Sequence, residues 1–284
     1  MEYLTISAGK SSASIDCRGS ALRSLILEGH AVIPEPAAEA HPYHGVMLAP
    51  WPNRIAAGTY SFEGVEYQAE INEHHGNALH GLLFDFPAKV QSQEPDRLTL
   101  VSNLEPRPGF PWDMEVTISF SISEAGLEIE TTATNTGDAS APVGLGTHPF
   151  FVFDSNSTLE VRANRAAIHG SDMLPISEVP ATQLGFGEGI QTSIESLSID
   201  LQFSGMAEVA AVLRTQDFSI EVWQKRADWL MVYTTESYNW ADSRVRAVAI
   251  EPQTCAADAF NTGAGLKILS PGQSFSYTWG VRSA

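Results

Sequence analysis

The chain has little cysteine and little positive charge. Two of its 284 residues are cysteine, Cys17 and Cys255; they lie far apart with no paired-cysteine spacing, so neither a disulfide framework nor a zinc knuckle is implied. Two reduced, structural thiols are expected. Sixteen lysines and arginines stand against thirty-four aspartates and glutamates, a formal net charge of −18. That balance argues against nucleic acid or an anionic membrane as partner and favours a neutral small ligand, although a local cluster of arginines can overcome a net field. The opening Met1-Glu2-Tyr3-Leu4-Thr5-Ile6-Ser7 has no basic head and no long apolar run. It therefore predicts neither a secretory signal nor a membrane span, and a cytoplasmic protein is expected. Internal repeats, low-complexity tracts and blocks of like charge are missing as well, which removes propellers, solenoids and acidic tails.

What is present is alternation. Val116, Ile118, Phe120 and Ile122 share one face against Thr117, Ser119 and Ser121, and Phe275, Tyr277, Trp279 and Val281 alternate with Ser276, Thr278 and Gly280. Leu127–Thr131 and Ser219–Trp223 read as further strands. Turn punctuation divides these runs, as in Asn135-Thr136-Gly137-Asp138, Glu124-Ala125-Gly126 and Ser270-Pro271-Gly272. With helical periodicity hard to find, the pattern predicts an all-β antiparallel sandwich. Two stretches, His30 to Asn53 and Asp154 to Glu195, read as long loops that pack across the sandwich on Met47, Leu48, Trp51, Leu174, Leu184 and Phe186. The chain, residues 1–284, is read as one domain.

Chemistry concentrates in a few segments. Ala247-Val248-Ala249-Ile250-Glu251 reads as a buried strand ending in a carboxylate, which must be compensated by neighbours or raised in pKa. Glu251 is thus a candidate base, or else an acid in a solvated rim. Gly146-Thr147-His148-Pro149-Phe150-Phe151 sets one histidine among glycine and aromatics, a candidate acid. Pro50-Trp51-Pro52-Asn53-Arg54 places a guanidinium after restricted prolines, where it either grips a ligand or sits at the surface. In Leu79-His80-Gly81 the histidine is either a ligand to a sugar oxygen or a core residue, and Gly81 permits close approach of backbone or ligand. Asp200, between Ile199 and Leu201, faces either inward to hydroxyls or outward to water.

Other constellations are weaker. Glu73-His74-His75 with His80 tempts a metal reading, but adjacent histidines on a strand point to opposite faces and no helix supplies i, i+4 spacing, so no metal is expected. His41 and His44 lie in a proline-rich stretch and are expected to be solvated. There is no glycine-flanked serine elbow, no Gly-rich phosphate loop before a helix, and no helix N-terminus to activate Cys255. General acid–base chemistry is what remains.

In order along the chain, Asn53-Arg54-Ile55, Leu79-His80-Gly81, Gly146-Thr147-His148-Pro149-Phe150-Phe151 and Glu251-Pro252-Gln253-Thr254-Cys255-Ala256-Ala257-Asp258-Ala259-Phe260-Asn261 resemble the aldose 1-epimerase (mutarotase) family, with Gly109-Phe110-Pro111 and Leu269-Ser270-Pro271-Gly272-Gln273 like its turns. The resemblance implies a large antiparallel β-sandwich of the galactose mutarotase-like type, binding a sugar and interconverting its α and β anomers without a cofactor. It implies that His148 donates a proton to the ring oxygen and that Glu251, ionised, takes one from the anomeric hydroxyl. It further implies that Arg54 and His80 hold the sugar and that Asp200, in its Asp-x-x-Phe context, binds distal hydroxyls. Pro149, Phe150 and Pro252 look closer to a bacterial subgroup than to the galactose-specific animal enzymes, so the sugar stays open. Phosphorylated or sulfonated hexoses would need further cations, for which Arg18, Arg23, Arg107, Arg162, Arg165 and Arg214 are candidates. Trp51, Phe150, Phe151, Trp223 and Trp240 are available to stack on a sugar. Two rivals stand beside this reading: a non-catalytic carbohydrate-binding protein on the same fold, and a metal-dependent enzyme using the histidine cluster.

Overall fold

The structure, a computed structural model, describes residues 3–35, 43–195, 197–240 and 243–284. It is an antiparallel β-sandwich. A fifteen-stranded sheet runs through the molecule, and a four-stranded meander of Leu4–Ala8, Ser11–Asp16, Ala21–Leu27 and His30–Ile33 packs against it. The alternating segments predict their strands well, because one face is apolar and the pleat has a period of two. Val116, Ile118, Phe120 and Ile122 point into the core from Met114–Ser123, and Phe275, Tyr277, Trp279 and Val281 from Ser274–Ser283. Ile6, Ile15 and Leu25 of the meander join the same apolar cluster as Leu100, Ile118 and Phe120 of the large sheet. Among the described residues the α-helix content is one turn, Ala259–Thr262.

The long-loop reading fails for residues 154–195. Thr158–His169 and Pro175–Pro180 are paired strands there, and a short strand, Thr192–Ser193, also pairs with the first. The pairing of Thr158–His169 with Asp200–Arg214 shifts register between Val161 and Ala163. Val161 faces Ala211 and Ala163 faces Met206, so the extra residues lie in the partner strand. Within Thr158–His169 itself Leu159, Glu160 and Val161 are buried in succession, as are Ala166 and Ala167, and no period of two survives in the sequence. Of the residues expected to anchor these stretches, Met47, Leu48, Trp51 and Phe186 are buried, whereas Leu184 is exposed. The earlier stretch also begins as strand, His30–Ile33, and contains the short strand Met47–Leu48.

Four strands frame the functional segments. Ser243–Gln253 pairs along one side with Trp229–Trp240, in a register that sets Met231 opposite Glu251. Its other side is covered by two short pieces, Gly146–Thr147 and Phe150–Val152, with His148 and Pro149 in the gap. Val248 and Ile250 face the main core, while Ala247 and Ala249 pack with Phe150 and Tyr238 in a separate cluster on the face that also carries Glu251. His148 continues the pairing of Gly146–Thr147 with Met47–Leu48: its N–H donates to the Val46 carbonyl at 3.0 Å and its carbonyl accepts from Gly45 N–H at 2.9 Å.

The His80 segment is held by a backbone crossing. Gly81 has φ +68°, and a Cβ built there would lie 2.4 Å from the Ala49 carbonyl oxygen and 2.8 Å from that of Trp51. The close approach that glycine permits here is backbone to backbone. Gly64 also has a positive φ, +79°, but a Cβ there would meet nothing within 4 Å. Gly64→Ala should therefore cost roughly 1–2 kcal/mol, the left-handed strain alone. Gly81→Ala should cost clearly more, because the clash with two carbonyls adds to that strain. Urea midpoints of the two variants against the parent measure the difference, and equal losses would contradict the packing described.

Candidate active site

The cleft begins with Glu251. Its side chain is 2% exposed, with Oε1 at 3.4 Å from His148 Nε2 and Oε2 accepting from Gln253 Nε2 at 3.2 Å. Burial, then the neighbouring Asp200 charge, push its pKa well above the ordinary carboxylate range, against smaller opposing effects of the Gln253 amide and Arg54. This departs from the expectation of a plainly ionised base. The two groups are better treated as a pair holding one proton: carboxylic acid with neutral imidazole, or carboxylate with imidazolium, at the same total protonation.

Around the pair lies a cavity of about 560 Å³, lined by Arg54, Glu73, His80, His148, Asp200 and Glu251 together with Tyr43, Asn53, Asn72, His74, His75, Leu79, Met231 and Tyr233. All five residues singled out from the sequence meet there. His80 has φ +65°, its N–H donates to the Asn53 carbonyl at 2.8 Å, and its Nδ1 accepts from the Asn53 N–H at 3.2 Å. An Nδ1 that accepts carries no proton, so the ring hydrogen sits on Nε2, which is a donor. The His80 and His148 rings meet edge to face at 5.2 Å.

Arg54 is oriented by acids rather than by the prolines before it. Nε donates to Glu73 Oε1 at 3.0 Å and Nη2 to Glu73 Oε2 at 3.5 Å, while Asp200 Oδ2 lies 3.8 Å from Nη2. Both Arg54 and Glu73 side chains are less than one-tenth exposed. Glu73 Oε1 also accepts from Asn77 Nδ2 at 2.9 Å, and the same amide nitrogen donates to the Asp172 carbonyl at 2.9 Å. The Arg54 backbone is clasped by the C-terminal motif: its carbonyl accepts from Asp258 N–H at 2.7 Å, and Asp258 Oδ1 accepts from Ala56 N–H at 2.9 Å. Asp200 opens the strand Asp200–Arg214 opposite Tyr233, and its side chain faces the cavity. Burial raises its pKa most, Arg54 opposes, and Glu73 and His75 add smaller effects in opposite senses.

Several expectations are corrected. His44 is fully buried, not solvated: Nε2 donates to the Arg23 carbonyl at 2.9 Å, and its ring lies against Tyr238 and Phe150. His41 lies outside the described residues. His74 and His75 occupy a turn, where their ring centroids lie 3.9 Å apart at a tilt of 42°, so the opposite-faces argument does not apply. Ligand atoms of Glu73, His74 and His75 do lie within 4.8 Å of one another, but both Glu73 oxygens already serve Arg54. A cation placed there would compete with that guanidinium. Of the aromatics offered for stacking none lines the cavity; Tyr43 and Tyr233 do, with Phe150 beneath His148 at 4.8 Å. The sequence offered Glu73 only as a metal ligand and Tyr43 not at all, because neither lies in an apolar run that marks a buried strand. Cys17 and Cys255 are free thiols, and burial pushes Cys255 up to about 12, far from nucleophilic use.

A β-sandwich whose cleft holds a carboxylate–imidazole pair ringed by hydrogen-bonding groups defines an acid–base site for a polar small molecule. The profile of the aldose 1-epimerase family matches residues 2–282, and the chain belongs to that family. The uncharacterized protein YihR of Escherichia coli K12 is 29% identical, over 96% of this chain and 90% of its own length. The galactose mutarotase of Sus scrofa is 25% identical over 49% of this chain and 41% of its own length. Among solved structures, a putative aldose 1-epimerase from Escherichia coli K12 superposes with a TM-score of 0.86 at 18% identity, covering 100% of this chain and 99% of that one. A galactose mutarotase-like protein from Clostridium acetobutylicum gives 0.85 at 20% identity, with 99% and 95% covered. The fold is that of the galactose mutarotase-like sandwich.

Because the Asp200 charge helps to raise Glu251, Asp200→Asn should let the pair release its protons at lower pH. Both limbs of a kcat–pH profile for the reaction proposed below should then move toward acid, whatever happens to KM. An unmoved profile, or a shift toward alkali, would contradict the coupling between the two carboxylates.

Proposed function

We propose that the protein is an aldose 1-epimerase, interconverting the α and β anomers of a free sugar in this cleft, with residues 1–284 acting as one domain. The observation that carries the proposal is the 3.4 Å contact between His148 Nε2 and Glu251 Oε1 at the cavity wall. The ring oxygen and the anomeric hydroxyl of an aldopyranose are bonded to the same carbon. An acid serving one and a base serving the other must therefore be neighbours, and a pair holding one proton supplies both functions.

In the forward step imidazolium His148 gives its proton to the ring oxygen while carboxylate Glu251 takes the proton of the anomeric hydroxyl. The bond between C1 and the ring oxygen breaks, leaving an open-chain aldehyde with a new hydroxyl. The pair now holds its proton on Glu251, so its total protonation is unchanged. Rotation about C1–C2 presents the other face of the aldehyde; the hydroxyl attacks it, both transfers reverse, and the opposite anomer forms. Arg54 and His80, through its Nε2–H, hold oxygens of the sugar, and Asp200 accepts from distal hydroxyls. The chemistry needs no cofactor. A soluble cytoplasmic location is consistent with such a role, and no described helix is long and apolar enough to cross a membrane.

Polarimetry of freshly dissolved α-glucose and α-galactose at substoichiometric protein tests turnover directly. Glu251→Gln or His148→Asn should each lower kcat by roughly 10²–10⁴-fold with circular dichroism unchanged. A variant retaining near-parental rate would overturn the assigned roles. Sugar binding without turnover by the parent would leave a carbohydrate-binding protein instead. Treatment with a chelator should leave the rate unaltered; loss of activity, restored by added zinc, would return the reaction to Glu73, His74 and His75.

A further inference from the structure

The charge in the cleft is unevenly supplied. Among the described residues its wall holds three carboxylates, Glu73, Asp200 and Glu251, and a single lysine or arginine, Arg54. The residues outside the described set, 1–2, 36–42, 196 and 241–242, include no lysine or arginine, so none of them can add such a cation. Nor do the arginines available in the sequence reach the cavity. Arg18 pairs with Asp85, Arg23 with Asp16, Arg162 and Arg214 with Glu160, and Arg165 with Glu178, while Arg107 lies over the Phe86 ring. The other groups in the wall able to take positive charge are the imidazoles His74, His75, His80 and His148. His80 is committed to accepting through Nδ1.

Arg54 itself is already matched. Its Nε and Nη2 face Glu73, less than one-tenth exposed, and the same Nη2 lies 3.8 Å from Asp200. Glu73 is pinned in turn by Asn77, so this carboxylate is a fixed part of the wall. Its charge reaches into the cavity, where burial raises both Asp200 and Tyr43 most and Glu73 adds to the rise. We infer that the site selects uncharged aldoses over sugars bearing a phosphate or sulfonate, and that Glu73 sets this preference by neutralising Arg54. The inference deepens the proposed function and rests on it for the identity of the site. A hydroxyl or hydroxymethyl group finds acceptors and donors throughout the wall. An anion entering the same space meets like charge with no uncommitted guanidinium, and like-charge juxtaposition in a partly desolvated site is strongly unfavourable. Glu73 is a positioning residue as well, since it holds the guanidinium that the sugar would meet.

The test uses the whole protein and matched substrates: glucose and galactose, each with its 6-phosphate, and glucose carrying a 6-sulfonate. Anomer exchange is followed by NMR, and binding separately by saturation transfer. For the parent, kcat/KM should be on the order of 100-fold higher for the neutral hexose than for its 6-phosphate, with the singly charged sulfonate between them. Glu73→Gln keeps the acceptor oxygen toward Arg54 and removes the charge. It should narrow that ratio about tenfold or more, chiefly by lowering KM for the phosphate, and added salt should narrow the parental ratio as well. A merely structural role would lower both substrates alike and leave the ratio in place, which would overturn the part assigned to Glu73. Parental rates on the 6-phosphate equal to or above those on the neutral sugar would overturn the whole inference, even if the variant failed to fold. Preferred binding of the neutral sugar with no exchange would support this inference while sinking the catalytic reading. If none of these sugars bound, both would fall.

Discussion

A carboxylate buried beside an imidazole organises this molecule. Left alone in the interior, the charge of Glu251 would be disfavoured by several kcal/mol, and burial does move its proton equilibrium upward. Adjacent His148 offers a second place for that proton, so the ion pair and the neutral pair become alternative arrangements of the same atoms. The arrangement follows from the register of the sheet. Gly146 faces Gln253 and Phe150 faces Ala249, so both short pieces keep one register against Ser243–Gln253 and His148 falls opposite Glu251. On its other side the His148 backbone bonds to Gly45 and Val46.

The rest of the cleft follows from local departures of the backbone. Asn53 and His80 both carry positive φ, and their mutual hydrogen bonds fix the imidazole tautomer that presents a donor. The motif after Glu251 folds back so that Asp258 clasps the backbone on both sides of Arg54. Segments some two hundred residues apart thereby share one rigid wall. Within that wall the electrostatics are coupled: Glu73 and Arg54 act oppositely on Asp200, and Asp200 acts on Glu251. Preorganised dipoles and charges of this kind stay effective because the surrounding protein prevents them from relaxing toward solvent.

Legibility of the sequence tracked periodicity. Met114–Ser123, Gly126–Asn135 and Ser274–Ser283 could be read because one face is buried along the whole strand. Thr158–His169 could not, since Leu159, Glu160 and Val161 are buried in succession, as are Ala166 and Ala167, and the strand shows no alternation. His44 was misjudged for a related reason. Its proline-rich surroundings suggested surface, whereas Tyr238 and Phe150, remote in sequence, enclose it. Glu73 was seen only as a neighbour of histidines. Its partnership with Arg54 spans nineteen positions and crosses a turn, and no local pattern announces such a contact.

By itself the sequence determined that this is an antiparallel β protein of the aldose 1-epimerase kind. It also singled out five residues that share one cleft, because apolar alternation and glycine- or proline-marked motifs are local properties written in consecutive residues. Only the tertiary structure decided the contact of His148 with Glu251 and the burial that raises the carboxyl, the acceptor role of His80 Nδ1 and the pairing of Arg54 with Glu73. Those depend on distances between side chains from different strands and on how much water the fold leaves around them, and both quantities exist only once the chain has closed on itself.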